Sequence, residues 1–392
     1  MNISRLLPLF LVLISFFACG TSNNVDAVQA EQVIEHYADF VLASYRAAKA
    51  DAEAMREFLK TFTNDPTAEN FEAAKEAWLA ARESYGPTEA FRFAGGPIDV
   101  IDGEEGPEAF INSWPLDEGY IDYVQDADGN NIYGGIINDK EAFPTVDREL
   151  LVSLNMEGGE ENVSTGYHAI EFLLWGQDLT APEVHQAGQR AYTDFVDGGE
   201  VPNADRRRAY LLICADLLIE NLDVLIDQWE QEGPYRKEFL AQSEQAALSQ
   251  MMTGIATLSK AELAGERTFV PYANRDQEDE HSCFSDNTHR DLRLNFDGIR
   301  DVYLGRMGDN EGPSLSDLIA ATDQELADQI AAQLSDAEQA VYDTAVPFDH
   351  AIDDEESRPG ILAAVNELQD LGNLIVAGGA AIDLTVGTEL DK

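Results

Sequence analysis

His168 and Glu171 are the residues of this sequence whose types and spacing point most directly to chemistry. They lie within residues 164–178, which read STGYHAIEFLLWGQD. Side chains three positions apart on a helix share a face, with Cβ atoms roughly 5 to 6 Å apart. An imidazole nitrogen and a carboxylate oxygen so placed could hold one metal ion together, or could hold only each other. Each needs a partner if buried, because an unpaired buried charge costs several kcal/mol.

The neighbouring residues predict that this pair lies on a short, buried helix. Ser164 and Thr165 are good N-cap residues, and Gly176 suits the left-handed position after a helix C terminus. The sequence between them is apolar on nearly every side, which is typical of a helix enclosed by other elements. We expect Glu171 to be ionised, because a helix N terminus favours negative charge.

The pattern Gly-x-His-x-x-Glu, here Gly166, His168 and Glu171, is followed by FLLWGQD and resembles the signature of the imelysin family. That family is also called the M75 peptidases and includes iron-regulated surface and periplasmic proteins. The resemblance extends over residues 33–383. It implies an all-α fold in which two helical-bundle-like halves pack around a shared cleft, with the histidine and the glutamate as metal ligands in that cleft.

A second segment, YGPTEAFRF at residues 85–93, is also similar to imelysin sequences. Thr88 can cap a new turn that carries Glu89 and Arg92 three positions apart. Such pairs are common on helix surfaces and contribute little to stability there. The resemblance instead implies that Glu89 adds a carboxylate to the metal site and that Arg92 adds a fixed cation to the cleft. Both interpretations remain open at this point.

Hydrophobic periodicity predicts the helices that would position these groups. A helix after Asp65 and Pro66 places Trp78 on an apolar stripe with Arg82 beside it, so both are candidates for the cleft. The polar segment 181–205 divides the chain into a first half, 31–180, and a second half, 204–392. The other predicted helices cover residues 30–50, 204–230, 235–265, 314–321, 323–346 and 361–384.

Residues 95–159 are rich in Gly, Pro, Asp and Asn. So long an irregular stretch is either functional or contains short elements. Residues 126–131 have a passing likeness to a calcium loop, in which acidic positions precede a glycine. The flanking helices and the closing glutamate of an EF-hand are missing, so we predict a turn.

Residues 275–291 form a second polar cluster, RDQEDEHSCFSDNTHRD, which resembles the family segment that faces the first half. On that ground His281 and Asp286 join the candidate binding residues, and Asp286 can also cap the following helix. Glu278 stands three residues before His281, which invites a two-metal carboxylate site. Such sites need two Glu-x-x-His motifs and further carboxylates, and an exposed turn explains the segment as well.

Residues 1–18 form a short basic and apolar leader that runs into FFACG at residues 16–20. It resembles a bacterial lipoprotein signal, with Cys19 as the acylated residue, residues 19–30 as a tether and a lipid anchor in the cell envelope, at the outer membrane. An ordinary export signal cut nearby is the alternative. Export is predicted in either case, and no later apolar run is long enough to span a membrane.

The cysteines beyond the leader are Cys214 and Cys283. Export makes a disulfide chemically permissible. We expect a bond between them, because Cys283 follows a polar loop that a covalent link would fix. A buried free thiol is the alternative for Cys214, which lies in an apolar helical run.

The charge balance limits the partners of the protein. Its 392 residues include 74 acidic and 25 basic ones, for a formal net charge of -49. That balance argues against a basic surface for nucleic acid or anionic lipid. It suits a protein that collects cations, although a solvated acidic surface explains it as well.

Three functions are consistent with these residues. The favoured one is a lipoprotein that binds a metal ion or a metal-containing ligand in the cleft for uptake or sensing, with iron a better fit than zinc or calcium to one histidine and several carboxylates. The second is an M75-type metallopeptidase, although catalytic zinc normally has three protein ligands and only two are clearly marked here. The third is a buried His168–Glu171 pair without a metal. The sequence identifies no transport partner.

Overall fold

The computed structural model describes residues 26–308 and 310–390. Helices dominate these ranges, which confirms the predicted all-α fold. The predicted leader and Cys19 lie outside the described residues. The α-helices are α1 (Ala27–Asn64), α2 (Ala68–Tyr85), α3 (Glu108–Ile111), α4 (Glu118–Ile121), α5 (Gly135–Asn138), α6 (Arg148–Leu154), α7 (Gly166–Trp175), α8 (Ala204–Trp229), α9 (Pro234–Ala241), α10 (Glu244–Thr257), α11 (Val270–Asn274), α12 (Thr288–Leu304), α13 (Leu315–Thr322), α14 (Gln324–Tyr342), α15 (Phe348–Asp353) and α16 (Arg358–Ala381).

Several short elements complete the fold. A π-helix, Leu258–Phe269, continues α10, and 3₁₀ turns occupy Gly86–Phe91, Pro182–Val184, Tyr192–Phe195 and Gln277–Asp279. Three antiparallel hairpins pair β1 (Val100–Ile101) with β2 (Glu104–Glu105), β3 (Val124–Gln125) with β4 (Asn131–Ile132), and β5 (Arg306–Met307) with β6 (Asn310–Glu311). Two of these hairpins and four short helices lie in the irregular stretch 95–159, which therefore contains short elements.

The turn between β3 and β4 is the one predicted at residues 126–131. The Asp126 carboxylate accepts hydrogen bonds from the backbone N–H groups of Asp128 and Asn130, at 3.0 and 2.9 Å. Gly129 has a φ of +76°, a conformation that glycine adopts without steric cost. Asp126 thus accepts the backbone hydrogen bonds of its own turn, and the prediction of a turn is confirmed.

The first helix extends well past its predicted end at residue 50. Its buried face continues through Ala52, Met55, Leu59 and Phe62, at the three- and four-residue spacing of a helix. The Thr67 hydroxyl then caps α2 by accepting from an N–H group in its first turn. The two helices can therefore pack side by side.

The helices pack in two groups that share one continuous apolar core. Helix α1 packs against α2 and α8, and α7 packs against α2 and α8. Helices α10, α12, α14 and α16, with the π-helix, form the other group. The sequence assigned α8 to the second half, but its buried residues face α1 and α7, so the segment 181–205 does not separate the two groups.

The 3₁₀ turn Gly86–Phe91 connects the two groups, because it follows α2 and packs against α12 and α10. Gly298 of α12 lies against this turn, and a Cβ there would approach the Pro87 carbonyl oxygen to 2.3 Å. The close approach brings Glu89 of the turn to the buried junction between the groups. Among the described residues, none of the helices is both long and apolar enough to cross a membrane.

Candidate metal centre

Helix α7 is the buried helix that the sequence predicted, and it runs from Gly166 to Trp175 with every residue buried. Gly166 has a φ of +89°, and a Cβ on it would lie 2.6 Å from the Ile111 carbonyl oxygen. Only glycine allows the helix to begin so close to the backbone before Asn112. The glycine of the motif therefore positions the helix. Thr165 occupies the N-cap position that the sequence predicted, but its side chain makes no cap hydrogen bond.

His168 and Glu171 lie against each other on this helix. His168 Nδ1 is 2.9 Å from Glu171 Oε2, and both side chains are fully buried. The other carboxyl oxygen, Oε1, accepts from the backbone N–H of Ser285 at 3.0 Å and from its hydroxyl at 2.7 Å. Both oxygens of Glu171 are thus occupied by protein groups, and the carboxyl group fixes the orientation of the imidazole.

His281 forms a second pair of the same kind with Asp291 of α12. Its Nδ1 is 2.8 Å from Asp291 Oδ2, which also accepts from the Ser282 hydroxyl at 2.5 Å. The other oxygen, Oδ1, accepts from the Arg82 guanidinium at 3.0 and 3.3 Å. Arg82, predicted for the cleft, is 1% exposed and therefore compensates the charge of a buried carboxylate.

The two imidazole rings meet edge to face, with centroids 4.6 Å apart and planes at 80°. Because a carboxyl group holds Nδ1 in each ring, Nε2 is the nitrogen left for a ligand. His168 Nε2 is buried and has no hydrogen-bond partner. His281 Nε2 lies 3.5 Å from the amide nitrogen of Asn112, which is a weak contact at most.

Glu89 belongs to the same buried network but is held by arginines. Its Oε2 accepts from Arg267 at 2.6 Å and from Arg92 at 3.1 Å, while Oε1 accepts from Asn112 at 3.2 Å. In the described part of the chain, the three acidic or imidazole side chains whose ligand atoms all lie within 4.8 Å of one another are Asp178, Asp286 and Asp349. Glu89 is therefore not gathered with His168 and Glu171, and Asp286 lies in a separate cluster.

Burial sets the protonation of this site. It lowers the pKa of His168 to about 3, with a further contribution from Arg82, and lowers the pKa of His281 to about 3, with a contribution from Arg267. Both imidazoles are neutral at pH 7. Burial also raises the pKa of Glu171 to about 8. The expectation of an ionised Glu171 is wrong, because this residue lies in the second turn of α7 and desolvation outweighs the helix N terminus.

Glu89 and Asp291 behave in the opposite way, because each has guanidinium partners. Burial alone would raise both pKa values, but Arg267 and Arg92 hold the pKa of Glu89 well below its ordinary value, and Arg82 does the same for Asp291. The junction thus contains two ionised carboxylates compensated by arginine and two neutral imidazoles.

These features fit a metal ion at the imidazole end of the site. A metal-ligating histidine is neutral and donates the N–H of its other ring nitrogen to a carboxylate or carbonyl. His281 can donate in this way to the ionised Asp291, and His168 would do so to Glu171 once a bound cation favours the ionised form of that carboxyl group. A buried ring nitrogen without a partner is costly, and a bound ion would satisfy it. The carboxyl group of Glu171 would then orient a ligand instead of being one.

Two other sequence expectations differ from the structure. Trp78 lies in the core, where its Nε1 donates to the Tyr167 carbonyl oxygen at 3.0 Å, so it stabilises the first turn of α7. Glu278 does not pair with His281; it interacts with Glu118 instead, and burial raises the pKa of Glu278 to about 8. The mirrored two-metal arrangement is therefore not formed.

The expected disulfide between Cys214 and Cys283 is wrong, because both cysteines are free and buried. Cys214 lies in α8 with its thiol 3.6 Å from the Ser164 carbonyl oxygen. Cys283 belongs to the segment that holds Glu171 through Ser285. Burial raises the pKa of both thiols well above the ordinary value, so both stay protonated and unreactive in the folded protein.

Several site residues escaped the sequence analysis: Asn112, Arg267, Ser282, Ser285 and Asp291. Asn112 follows the short helix α3 inside the irregular stretch, and Arg267 lies on the π-helix, a rare form that often marks functional sites. A signal existed for Asp291, which ends the polar cluster 275–291 ten residues after His281. Asp286 does not cap α12 as expected, since the helix begins at Thr288 without a side-chain cap.

Comparisons with known proteins agree with the fold and show the family. The family model of imelysin, peptidase M75, matches residues 41–375. Iron-regulated protein A of Synechococcus elongatus is 26% identical over 362 residues, covering 89% of this chain and 85% of that protein. A crystal structure from Parabacteroides distasonis, assigned as an iron-regulated protein A precursor, superposes with a TM-score of 0.71 at 18% identity, covering 92% of this chain and 96% of that one. Because the imelysin family model matches most of this chain, the chain belongs to the imelysin family.

Proposed function

We propose that this protein is an exported, lipid-anchored member of the imelysin family that binds a metal ion, or a ligand containing one, for uptake or sensing. The observation that carries the proposal is the buried Nε2 of His168, which has no hydrogen-bond partner while Nδ1 of the same ring is held by Glu171. His281 offers a second Nε2 beside it. Both would serve as ligands, because neutral imidazole is the form that binds metals.

Iron is the metal that we infer. Imidazole suits iron, zinc and copper, whereas calcium and magnesium prefer oxygen ligands. The names of the relatives support iron over zinc, since both are described as iron-regulated protein A. The formal net charge of -49 also supports the idea that the protein surface attracts cations.

Export and lipidation are supported by the leader at residues 1–18 and by Cys19. The relative from Parabacteroides distasonis is described as a precursor, which agrees with export. We place the protein in the bacterial cell envelope on these grounds. Its membrane partner would be lipid at Cys19, and nothing in the charge pattern favours nucleic acid.

A metallopeptidase is the second candidate, on the strength of the family's designation as peptidase M75. Catalytic zinc normally has three protein ligands, one water and a base nearby. In residues 26–308 and 310–390, no third histidine, cysteine, aspartate or glutamate side chain brings a ligand atom to those of His168 and His281. Binding without turnover is therefore the better-supported function. A third possibility is that the His168–Glu171 pair is structural and binds no metal.

One experiment separates the three. Chelator-treated protein is dialysed under anaerobic conditions against iron(II), zinc or calcium, and the bound metal is counted for wild type, His168→Ala, His281→Ala and the remote control His36→Gln. The proposal predicts one iron per chain in the wild type and the control, and its loss in the other two. Peptide cleavage that a chelator abolishes and His168→Ala removes would establish the peptidase instead. Unchanged metal content with a lower melting temperature would establish the structural pair.

A further inference from the structure

A second cluster of acidic side chains lies apart from the imidazoles. Asp178 follows the end of α7, Asp286 precedes α12, and Asp349 lies in the first turn of α15. One carboxylate oxygen from each lies within 4.8 Å of the other two. Asp178 and Asp349 are only 4% and 3% exposed, and Asp286 is half-buried. Three separate segments of the chain thus bring like charges together below the surface.

These carboxylates lack the compensation that other buried acids in the protein receive. Arginine pairs with Asp122, Glu89 and Asp291 at hydrogen-bonding distance. No lysine or arginine in the described part of the chain pairs with any of the three clustered aspartates. Asp178 accepts from the N–H and hydroxyl of Thr180, and Asp349 accepts from the His350 N–H at 2.7 Å. These neutral donors leave the negative charge of the cluster uncancelled.

Glu280 is an independent indication that a ligand belongs here. Its side chain is buried, with 1% of the residue exposed, and its Oε2 has no hydrogen-bond partner. The charged groups that act on it are Asp349, Asp286 and Asp178. Native proteins seldom leave a buried carboxylate oxygen unpaired unless an ion or water occupies the space beside it. Here the unpaired oxygen belongs to a carboxyl group whose charged neighbours are the three clustered aspartates.

The titration of the cluster agrees with this geometry. Burial raises the pKa of Asp286 to about 8, with Asp349 as the next contribution. Without a cation, the cluster would have to hold protons at neutral pH. A divalent cation would remove that requirement, because it favours the ionised form of every carboxylate around it.

We propose that Asp178, Asp286 and Asp349 form a calcium site that is distinct from the imidazole site, with Glu280 as a buried carboxylate beside it. The ligands are all hard oxygens, which calcium and magnesium prefer to softer metals. Calcium accepts six to eight oxygens at about 2.3 to 2.6 Å, so ligands on opposite sides lie roughly 5 Å apart, which matches the spread of these oxygens. Magnesium needs a tighter octahedron and keeps several of its waters.

The site has a structural consequence for the imidazole centre, although it does not depend on the proposed function. Glu280 directly precedes His281, and Asp286 directly follows Ser285, which holds Glu171. A cation here would anchor both ends of the segment that supplies these contacts. It would also join that segment to the end of α7 through Asp178. Calcium would thus stabilise the junction without touching the imidazoles.

Calcium binding to the whole mature protein tests the proposal. Chelator-treated protein is titrated with CaCl₂ by calorimetry, up to about 5 mM to exceed the dissociation constants of extracellular calcium modules. About 0.15 M salt is present to screen the acidic surface. We expect one calcium per chain, a higher melting temperature with calcium, and retention of calcium against equimolar magnesium. Absence of saturable binding, displacement by equimolar magnesium, or a preference for zinc through the neighbouring His185 and His350 would overturn the assignment.

Variants distinguish this site from the rest of the protein. Asp349→Asn and Asp286→Asn are each expected to weaken calcium binding at least tenfold, and two positions are used in case one variant folds poorly. Asp126→Asn is the matched control, because that aspartate lies in a calcium-loop-like turn but already accepts backbone hydrogen bonds. His168→Ala should leave calcium binding unchanged. Equal affinity in all four variants would show that calcium binds elsewhere and would overturn the proposal, whatever the outcome for iron.

Discussion

His168 and His281 lie edge to face with ring centroids 4.6 Å apart, and each ring is held at Nδ1 by a different carboxyl group. The two residues come from distant parts of the chain, one on α7 and the other in the segment before α12. Their carboxyl partners differ in state, because Asp291 has an arginine partner and stays ionised, whereas Glu171 has none and is protonated near neutral pH. Both imidazoles are neutral because they are buried, and the two carboxyl groups fix their orientation.

The first prediction concerns the titration of these rings in metal-free protein. Both folded pKa values are about 3, against about 6.5 in an unfolded chain, so two imidazole signals should not titrate between pH 8 and pH 5. NMR of isotope-labelled histidines, with His168→Ala and His281→Ala for assignment, would measure this. Midpoints near pH 6.5 for both rings would contradict the burial described here.

The same pKa values predict how stability depends on pH. A group whose folded pKa is depressed contributes stability that is fully present above its unfolded pKa and is lost as pH falls towards the folded value. The contribution of His168 and His281 should therefore be complete above about pH 6.5 and should decline from there towards pH 3. Urea unfolding at pH 7.5, 6 and 5 checks this, and the acid loss should be smaller in His281→Gln. An equal acid loss in that variant would contradict the prediction.

A third prediction separates orientation of the imidazole from direct ligation by Glu171. At pH 7 the carboxyl group is mostly protonated, so Glu171→Gln should change the free energy of unfolding by less than about 1 kcal/mol, whereas Glu171→Ala leaves buried partners unpaired at about 1 to 3 kcal/mol each. The alanine variant should also bind iron about 10- to 100-fold more weakly, because it removes the group that orients a ligand. Equal destabilisation by both variants would count against a protonated Glu171.

Arg82 supplies a fourth prediction, about the compensation of Asp291. Arg82→Met leaves a fully buried carboxylate without its cation and should lower the free energy of unfolding by about 3 to 5 kcal/mol. Arg290→Met is the matched control, since Arg290 pairs with Glu83 at the exposed surface and should contribute less than about 1 kcal/mol. Chemical denaturation measures both. A small effect at Arg82 would mean that Asp291 is not ionised in the folded state.

The helical fold could be predicted from periodicity because α1, α2, α8 and α12 are long and amphipathic. Their partners could not be predicted in the same way. Helix α8 has apolar side chains that suit either group, and only packing against α1 and α7 decides its place. The predicted end of α1, residue 50, lies 14 residues before the observed end at Asn64. Polar residues alternate with the buried ones between Ala52 and Phe62, so the apolar periodicity is hard to recognise there.

The sequence predicted the two motif residues of the candidate site but not the residues that surround them. His168 and Glu171 share one helix turn, so their contact follows from spacing alone. Asn112, Arg267 and Asp291 reach the site from three other elements, and no local pattern marks such contacts. The state of Glu171 was also predicted wrongly, because desolvation is a property of the folded surroundings and not of the helix that carries the residue.

The central claim is that a metal ion binds at the imidazole end of the junction. The most direct measurement is anomalous scattering at the iron edge from crystals of the protein loaded with iron(II). The account predicts a single strong peak within coordination distance of His168 Nε2, and no such peak in His168→Ala crystals. An iron peak elsewhere, or none beside His168 in protein shown to carry iron, would contradict it.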